Sequence, residues 1–481
     1  MAGSIWPKST RVAAALALVG LVAVVFLPGA RPVSAASPQT CLAATVKSPG
    51  DTTGDTLNNL NTDNDSGSGW STSSVSNDAV YTVIKSKRMY IDTWDVSSIP
   101  ASAAITGAVL HVQCGAQSSY SGTNQVRYDN GAGLTNTGIV PSVAGWSADL
   151  TYDLYSHGVN TRSAIQNVDI EFSNNSSGPG SRTANFDYVW IVVTYNSAPA
   201  VNSVTLTNVS MTPQQQYAVA VNVANDEGKA DLTTLVLKVW YDTDANPPTV
   251  GDHDGQSADT QKCAVITWTR TTDSFAISPS SSTTWSLGSC ASPGSLPGDF
   301  TFRFTVGKVA TEASGAARWQ ITAKVTDSLS QTAFNYDATP STMNWYGEVV
   351  VNTANINWGT VALGSDFSVN KQTGISVTYI CNASYKQQVK SSTPWSGGGN
   401  SVTLNAAGSP GNGEFSLKAY SSDTYGSAVP VNSTGYVTIG TGTQTGESGT
   451  TVSANTLWLK LGAAGIPAVS YSGTIYYGIT Q

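Results

Sequence analysis

The feature of this sequence that most restricts its fold is a two-residue alternation of apolar side chains. Successive side chains of a β-strand point to opposite faces of the sheet, so alternation indicates strands buried on one face. The clearest stripes are Tyr217, Val219, Val221 and Val223; Phe300, Phe302, Phe304 and Val306; and Trp319, Ile321, Ala323 and Val325. Gly, Pro, Asn, Asp and Ser clusters separate such stripes, and no stretch beyond the N-terminal segment sustains an i, i+3, i+4 apolar pattern. The sequence therefore predicts an all-β fold.

Composition supports this prediction and excludes several classes of protein. Only 11% of the 481 residues are charged, whereas 45 are Gly, 13 are Trp and 20 are Tyr. So many aromatic residues are untypical of a disordered chain, and so few charges are untypical of a helix-rich enzyme. The formal net charge of −8 and the pI of about 4.8 argue against a basic nucleic-acid-binding surface. We expect no nucleic acid among the partners.

The first 36 residues are typical of a signal peptide. Lys8 and Arg11 precede the apolar run Val12–Leu27, and cleavage is expected after Ala35, with Ala36 an alternative last residue. The run is shorter than a comfortable bilayer span, which favours cleavage over an uncleaved anchor. Removal of three basic residues would leave a chain of net charge −11, with no second long apolar run and no predicted membrane span. We expect a secreted or cell-surface protein.

Five cysteines follow this segment, and in an exported protein they favour disulfides over metal thiolates. No CxxC pair suggests a zinc site. Cys263 and Cys290 each lie beside a Trp-containing strand, and Cys41 and Cys114 fall in the same block of sequence, so these two pairs are the predicted disulfides. Cys381 is left as a buried thiol, an intermolecular link or a sign of different pairing.

Three blocks of sequence are expected to form three β-sandwich domains, at 37–196, 197–352 and 353–481. Their lengths are close to those of typical domains. Residues 186–195 form a nearly continuous apolar run, which predicts a central strand buried on both faces.

The first block resembles a known class of module. Met89–Pro100 leads into Ile105–Val112, and this is similar to jelly-roll modules of microbial extracellular proteins, including the DNRLRE group and carbohydrate-binding-like jelly rolls. The sequence Thr93-Trp94-Asp95 departs from the Lys/Arg-Phe-Asp usual in that group. The resemblance implies a jelly roll, and it implies adhesion, glycan binding or envelope structure rather than one reaction.

The other two blocks resemble surface modules by pattern. Residues 199–242, with Lys238–Asp242 as a strand, are similar to immunoglobulin-like or fibronectin-like modules of prokaryotic surface proteins. The closing segment Tyr471–Tyr477 resembles the last strand of some pilus and envelope β-sandwiches. These resemblances also imply adhesive or structural roles.

Nucleophilic catalysis finds little support in the sequence. A Ser-His-Asp site needs a histidine base, and the chain has only His111, His157 and His253, with no Gly-x-Ser-x-Gly motif. We interpret His111 as a partly exposed strand residue and the other two as solvated loop residues.

A pair of carboxylates could serve glycoside hydrolysis. The candidates are Asp92, Asp95, Glu171 and Glu348. The simpler interpretation is that the aspartates cap turns and that glutamates alternating out of strands face water.

Two acidic loops are candidate Ca²⁺ sites, because Ca²⁺ prefers closely spaced carboxylate, amide and carbonyl oxygens. The alternative for both is Asx-turns in polar loops. The second loop departs from an EF-hand at Pro247 and His253. The candidate ligands are Asp51, Asp55, Asn61, Asp63 and Asp65 in the first loop, and Asp242, Asp244 and Asn246 in the second, with Asp252, Asp254 and Asp259 available to complete it. No other cofactor is expected.

Exposed aromatic rings are candidate sugar platforms. Trp395 precedes a Gly-rich loop, and Tyr120 and Tyr128 flank a polar stretch. Most other tryptophans lie inside predicted strands and are expected to fill cores.

These observations predict an exported, non-catalytic cell-envelope protein with a structural or adhesive role. Its expected partners are envelope components, glycans or other surface proteins, with self-assembly through exposed strand edges as a further hypothesis. The alternatives are a carbohydrate-binding accessory protein and a polysaccharide-active enzyme.

Overall fold

The computed structural model describes residues 39–47, 81–84, 88–116, 122–140, 149–176, 183–244, 246–280, 285–313 and 315–481. Within these residues, strands dominate and the two α-helices are short, α1 at Arg162–Gln166 and α2 at Val250–Gly255. The predicted all-β fold, built from β-sandwiches, is confirmed. No helix of the described residues is long and apolar enough to span a membrane.

The first block forms two sheets that share one strand. One sheet has the order β1-β9-β4-β7, with β2 also on β9, and the other has the order β1-β3-β8-β5-β6. The N-terminal half of β1 pairs with β9 and its C-terminal half with β3, across a bulge. The strands are β1 Gln39–Lys47, β2 Tyr81–Ile84, β3 Arg88–Trp94, β4 Ala104–Ala116, β5 Gly122–Asp129, β6 Thr135–Asn136, β7 Leu150–Asp153, β8 Asp169–Ser176 and β9 Thr183–Asn196.

The core of this sandwich is formed by large apolar side chains from both sheets. Trp94, Leu110, Phe172 and Phe186 are fully buried between its sheets. The run predicted as a central strand is part of β9, which pairs with β1, β2 and β4. From Val189 to Thr194 its side chains nevertheless alternate between buried and half-buried, so burial on both faces is incomplete there.

The second block packs a four-stranded sheet, β10-β12-β17-β16, on a five-stranded sheet, β15-β14-β13-β18-β19, beside a short parallel pair, β11-β20. All three alternating stripes read from the sequence lie in this core, on β12, on and just after β17, and on β18. The strands are β10 Ala200–Leu206, β11 Ser210–Met211, β12 Gln216–Ala224, β13 Leu232–Asp242, β14 Cys263–Thr269, β15 Ser274–Ser278, β16 Ser286–Leu287, β17 Gly298–Thr305, β18 Arg318–Asp327, β19 Thr332–Tyr336 and β20 Thr342–Met343.

The third block packs unequal sheets. A large sheet, β21-β22-β29-β26-β25-β24 with β27 on β26, faces a small sheet of only three strands, β28-β23-β30. The strands are β21 Gly347–Val351, β22 Lys371–Cys381, β23 Tyr385–Ser391, β24 Trp395–Gly397, β25 Asn400–Leu404, β26 Glu414–Tyr420, β27 Val429–Pro430, β28 Val437–Gly442, β29 Thr450–Leu461 and β30 Ile475–Thr480. Because β21 pairs with β22, this sheet begins ahead of the predicted boundary at 353.

The two predicted disulfides are wrong. All five cysteines lie among the described residues, and no disulfide joins any of them there. Cys263 lies on the face of its sheet opposite the core, because its neighbours Ala264 and Ile266 point inward. Cys290 instead packs beside the other sheet, where its Sγ accepts a hydrogen bond from the Arg303 backbone N–H at 3.2 Å.

Cys41 and Cys114 lie in the same core but at different positions along strand β9. Cys41 is opposite Ile191 of β9, whereas Cys114 is opposite Phe186 of the same strand. Five residues of β-strand span about 16 Å, far beyond the ~6 Å between the Cα atoms of a disulfide. Burial raises the pKa of the Cys41 thiol to about 11, so this thiol is unreactive.

Candidate functional site

Trp395 does not form an exposed platform, so that prediction is wrong. Its side chain is only 7% exposed and packs against Phe415, with ring centroids 4.2 Å apart. The backbone at Gly473 passes directly over the indole, where an added Cβ would lie 1.9 Å from Cδ1. The Gly-rich sequence that suggested an open loop instead allows a second segment to cover the ring.

Tyr128 is also wrongly predicted as exposed. It is buried in the core of the first sandwich and contacts Tyr152 and His157. Tyr120 lies outside the described residues.

The second acidic loop uses its carboxylates locally. Asp242 accepts hydrogen bonds from the Asp244 backbone N–H and from Gln320, and Asp244 accepts one from the backbone of Asn246. Asp252 caps helix α2 through Thr249. The described residues contain no group of three or more His, Cys, Asp or Glu side chains placed to hold a metal ion. The five ligands of the first loop, from Asp51 to Asp65, lie outside the described residues, and Ca²⁺ binding stays a prediction.

Asp254 and Asp259 are likewise engaged. The Asp254 carboxylate pairs with Lys324 at 2.8 Å, which holds its pKa below the usual value. Asp259 accepts hydrogen bonds from two backbone N–H groups.

The prediction that Glu171 faces water is wrong. Its carboxylate is fully buried and forms ion pairs with Arg127 and Arg88, the latter at 3.3 Å, while the Tyr90 hydroxyl donates to it at 2.6 Å. Tyr90 and Arg127 lie directly opposite Glu171 on the two neighbouring strands. Alternation correctly placed Glu171 outside the sandwich core but did not reveal the three polar side chains that converge on it.

Two of the other candidate carboxylates, those of Asp95 and Glu348, are separate from Glu171. Asp95 caps a turn, as interpreted, by accepting the Ser97 backbone N–H at 2.9 Å, and this hydrogen bond lowers its pKa. Glu348 pairs with Lys308 at 2.7 Å, which lowers the glutamate pKa. Asp95 lines a shallow cavity beside Trp94 that does not include Glu171. These side chains do not form the paired-carboxylate cleft that glycoside hydrolysis needs.

The histidines differ from one another in environment. His111 is partly exposed, stacks on Trp190 and contacts Asp149 at 2.8 Å, and His157 lies in an exposed turn. His253 was predicted to be solvated, and this is wrong, because it is 1% exposed on helix α2 and contacts the Thr322 hydroxyl at 2.8 Å. Burial, with Lys238 nearby, lowers its pKa to about 4.

A groove of about 530 Å³ lies in the third sandwich. Two strand-free segments form its walls, residues 356–361 with Leu363 on one side and residues 466–471 on the other. Its floor consists of core side chains of the large sheet, namely Trp395, Val402, Leu459 and Leu461. The three strands of the small sheet cannot cover all of the large sheet, and these two segments cover part of the remainder, with the groove between them.

Hydrogen bonds hold the groove walls in place. The Gly364 backbone N–H donates to the Leu461 carbonyl at 3.2 Å, and Ser472 exchanges two backbone hydrogen bonds with Ser396, each 3.0 Å long. Tyr471 donates its hydroxyl to the Pro467 carbonyl at 3.2 Å, within the same wall. The groove is therefore a formed feature of the fold, consistent with a binding site.

The lining of the groove is aromatic, aliphatic and uncharged. Trp358 and Tyr471 are half-buried, and Asn357, Thr360 and Ser470 supply polar groups. No Asp, Glu, His, Lys, Arg or Cys is among its lining residues. Such a groove can bind a neutral ligand that has both apolar and hydroxyl-bearing faces, but it offers neither a carboxylate nor a histidine as acid or base. Sequence reasoning missed it because its walls carry no periodic pattern.

Comparisons with known proteins give no family. No protein-family model matches the chain, and no curated protein matches it.

Similar solved structures include a DUF4785 family protein from Legionella pneumophila, with 10% identity, coverage of 82% of this chain and 79% of that chain, and a TM-score of 0.17. A Bacteroides uniformis β-glucuronidase has 10% identity, coverage of 65% and 33%, and a TM-score of 0.17. The Endo-D glycoside hydrolase domain from Streptococcus pneumoniae R6 has 9% identity, coverage of 54% and 33%, and a TM-score of 0.15. The chain spans about a third of the length of the last two. TM-scores this low carry no argument about function.

Proposed function

We propose that this chain is an exported, non-catalytic surface protein with an adhesive role, and that the groove of its third sandwich binds an uncharged glycan. The observation that carries the proposal is the uncharged aromatic lining of the groove. Sugar rings present apolar C–H faces that pack on aromatic rings, and their hydroxyls can bond to Asn, Thr and Ser side chains.

The absence of charge from the groove lining supports binding rather than catalysis at this groove. Glycoside hydrolysis requires two carboxylates a few ångströms apart beside the sugar. The carboxylates of Asp95, Glu171 and Glu348 are occupied by hydrogen bonds or ion pairs and do not line the groove. Export to the cell surface and association with envelope components rest on the N-terminal sequence.

A depletion assay tests the groove. The full chain is mixed with insoluble cellulose, chitin, mannan or starch, and the bound fraction is measured for the unmodified protein and for Trp358→Ala and Tyr471→Ala. Loss of one stacking ring removes about 1.5 kcal/mol, so each variant should bind about tenfold more weakly. Tyr420→Ala is the matched control, because Tyr420 is half-buried and does not line the groove.

Two results would contradict the proposal. If the unmodified protein and both groove variants are retained equally, the groove does not bind the polysaccharide. Release of reducing sugar ends from any of the four polysaccharides would contradict the non-catalytic role. Trp395→Ala is not a suitable probe, because it removes a buried core ring as well as the groove floor.

A further inference from the structure

Two exposed tyrosines and one lysine form a row across the outer face of the small sheet of the third sandwich. The Lys390 ammonium lies 4.8 Å from the ring centroid of Tyr436 and 5.2 Å from that of Tyr476. Tyr436 is 42% exposed and Tyr476 is 43% exposed. We call this row the tyrosine–lysine strip.

Strand register brings the three side chains together. Lys390 of β23 lies directly opposite Tyr476 of β30, and the neighbouring pair Val389 and Val437 places Tyr436 opposite Lys390 on the other edge of β23. Val389 points into the core, so Lys390 points outward. Gly478 matters because a Cβ there would lie 2.9 Å from the Tyr436 ring. The glycine therefore lets this ring lie close against β30.

Exposed aromatic rings of this kind are rare in the part of the chain that the structure describes. Among the described residues, the large aromatic side chains that are exposed are Tyr425, Tyr436 and Tyr476. Two of these three lie side by side on the strip. The two Lys390 distances limit the separation of the two ring centroids to about 10 Å, so a single extended ligand can contact both rings and the ammonium.

The charged side chains that β23 presents on this face are both lysines, of which Lys386 donates to the Gln481 carbonyl at 3.3 Å. Lys390 forms no ion pair with a described carboxylate, and the other charged side chain that points outward from β23 is Lys386. The outward positions of the two flanking strands carry no acidic residue. Residues 353–481 contain five lysines and four acids, whereas residues 37–352 contain 15 basic and 27 acidic residues. An ammonium already placed against two rings, with no carboxylate to neutralise it, complements an anion.

We propose that the tyrosine–lysine strip is a second binding site, specific for the sugar units of an acidic polysaccharide that carries carboxylate or sulfate groups. The sugar rings stack on Tyr436 and Tyr476, and the anionic group pairs with Lys390. Tyr436, Lys390 and Tyr476 do not line the groove, so this site is separate from the one proposed for an uncharged glycan.

The proposal is tested by affinity electrophoresis of the full chain in gels that contain dextran, dextran sulfate or alginate. Dextran and dextran sulfate share a backbone, so their comparison isolates the anionic group, and alginate tests a carboxylate in place of a sulfate. We expect at least one of the two acidic polymers to retard the chain more strongly than dextran does. The retardation should weaken steeply as salt is raised.

Variants locate the site. Lys390→Gln and Tyr476→Ala should each reduce affinity for the acidic polymer about tenfold, the loss expected for one charge-assisted contact or one stacked ring. Lys371→Gln is the matched control, because Lys371 is an exposed lysine on the other sheet and is paired with Asp423. Trp358→Ala changes the groove and not the strip, so it should leave binding of the acidic polymer unchanged. The strip proposal and the groove proposal can therefore fail independently of each other.

Several outcomes would overturn the proposal. One is equal binding of dextran and dextran sulfate. Another is binding of the acidic polymers that is unaffected by both strip variants, and a third is no binding of either acidic polymer. Concentration-dependent self-association that Tyr476→Ala abolishes would assign the strip to a second copy of the chain instead. Thermal melts of both variants should match that of the unmodified protein, because the strip lies on the surface.

Discussion

His253 should make the second sandwich lose stability in mild acid. Its imidazole is buried beneath helix α2, close to the Lys238 ammonium, which donates to the His253 carbonyl at 2.6 Å and the Gln256 carbonyl at 2.7 Å. Burial and this neighbouring charge lower the pKa of His253 from 6.5 to about 4. The Lys324 ammonium acts in the same direction, whereas the Asp254 carboxylate opposes it.

The sign and size of the effect follow from proton linkage. Between pH 6.5 and 4 the unfolded chain binds a proton at His253 and the folded chain does not, so stability falls as the pH is lowered through this window. Each pKa unit corresponds to 1.36 kcal/mol, so a pKa difference of about 2.5 lowers the free energy of unfolding by at most about 3 kcal/mol. About 2 kcal/mol of this should already be lost at pH 5.

Hydrogen exchange of the full chain, read by mass spectrometry on peptides from β13 and β18, measures the opening free energy of this sandwich. The unmodified protein is compared with His253→Asn, whose side-chain amide can retain the contact with the Thr322 hydroxyl. The stability advantage of the unmodified protein over this variant should shrink by about 2 kcal/mol between pH 7.5 and pH 5. His157→Asn replaces an exposed histidine and should retain the acid loss. A difference between the unmodified protein and His253→Asn that stays constant within ~0.5 kcal/mol across this range would refute the reasoning.

Two further predictions concern the buried ion cluster and export. Glu171→Gln should destabilise the first sandwich by about 3–5 kcal/mol, because it leaves the Arg127 guanidinium without its buried carboxylate partner. Asp149→Asn, which breaks a pair whose aspartate is 41% exposed, should cost under ~1 kcal/mol. Urea titration of the full chain measures both losses, and equal losses for the two variants would contradict the argument. Intact mass of the protein recovered from its producing cells should correspond to a chain that begins at Ala36, and a mass that retains residues 1–35 would contradict cleavage after Ala35.

The strands were predictable because alternation reports a local property. Val219, Phe302 and Ile321 each have apolar neighbours two residues away, and each is buried in the core of the second sandwich. The period of two follows from strand geometry alone, so it holds wherever one face of a sheet is covered. Arg303, which lies between Phe302 and Phe304 on the strand, is exposed for the same reason.

The errors have a shared physical cause, since alternation gives the face of a residue but not what covers that face. Glu171 points away from the core as expected, yet Arg88, Arg127 and Tyr90 meet it there. The burial of His253 follows from no sequence pattern, because α2 is only six residues long and carries no helical apolar stripe. Trp395 precedes three glycines, but the covering segment comes from residues 470–473, far along the chain.

The uneven distribution of charge along the chain should orient the protein as it approaches an acidic polysaccharide. The excess of 12 acids over bases lies in residues 37–352, whereas residues 353–481 have one more lysine than acid. The first two blocks therefore repel an anionic polymer and the third attracts it. The polymer should approach the chain preferentially at the end that carries Lys390. Because exposed charges are screened beyond about 8 Å at physiological salt, this orienting effect acts at close approach and supplements the contacts of the strip rather than replacing them. A neutral glycan in the uncharged groove experiences no such field, so only binding at the strip should depend on ionic strength.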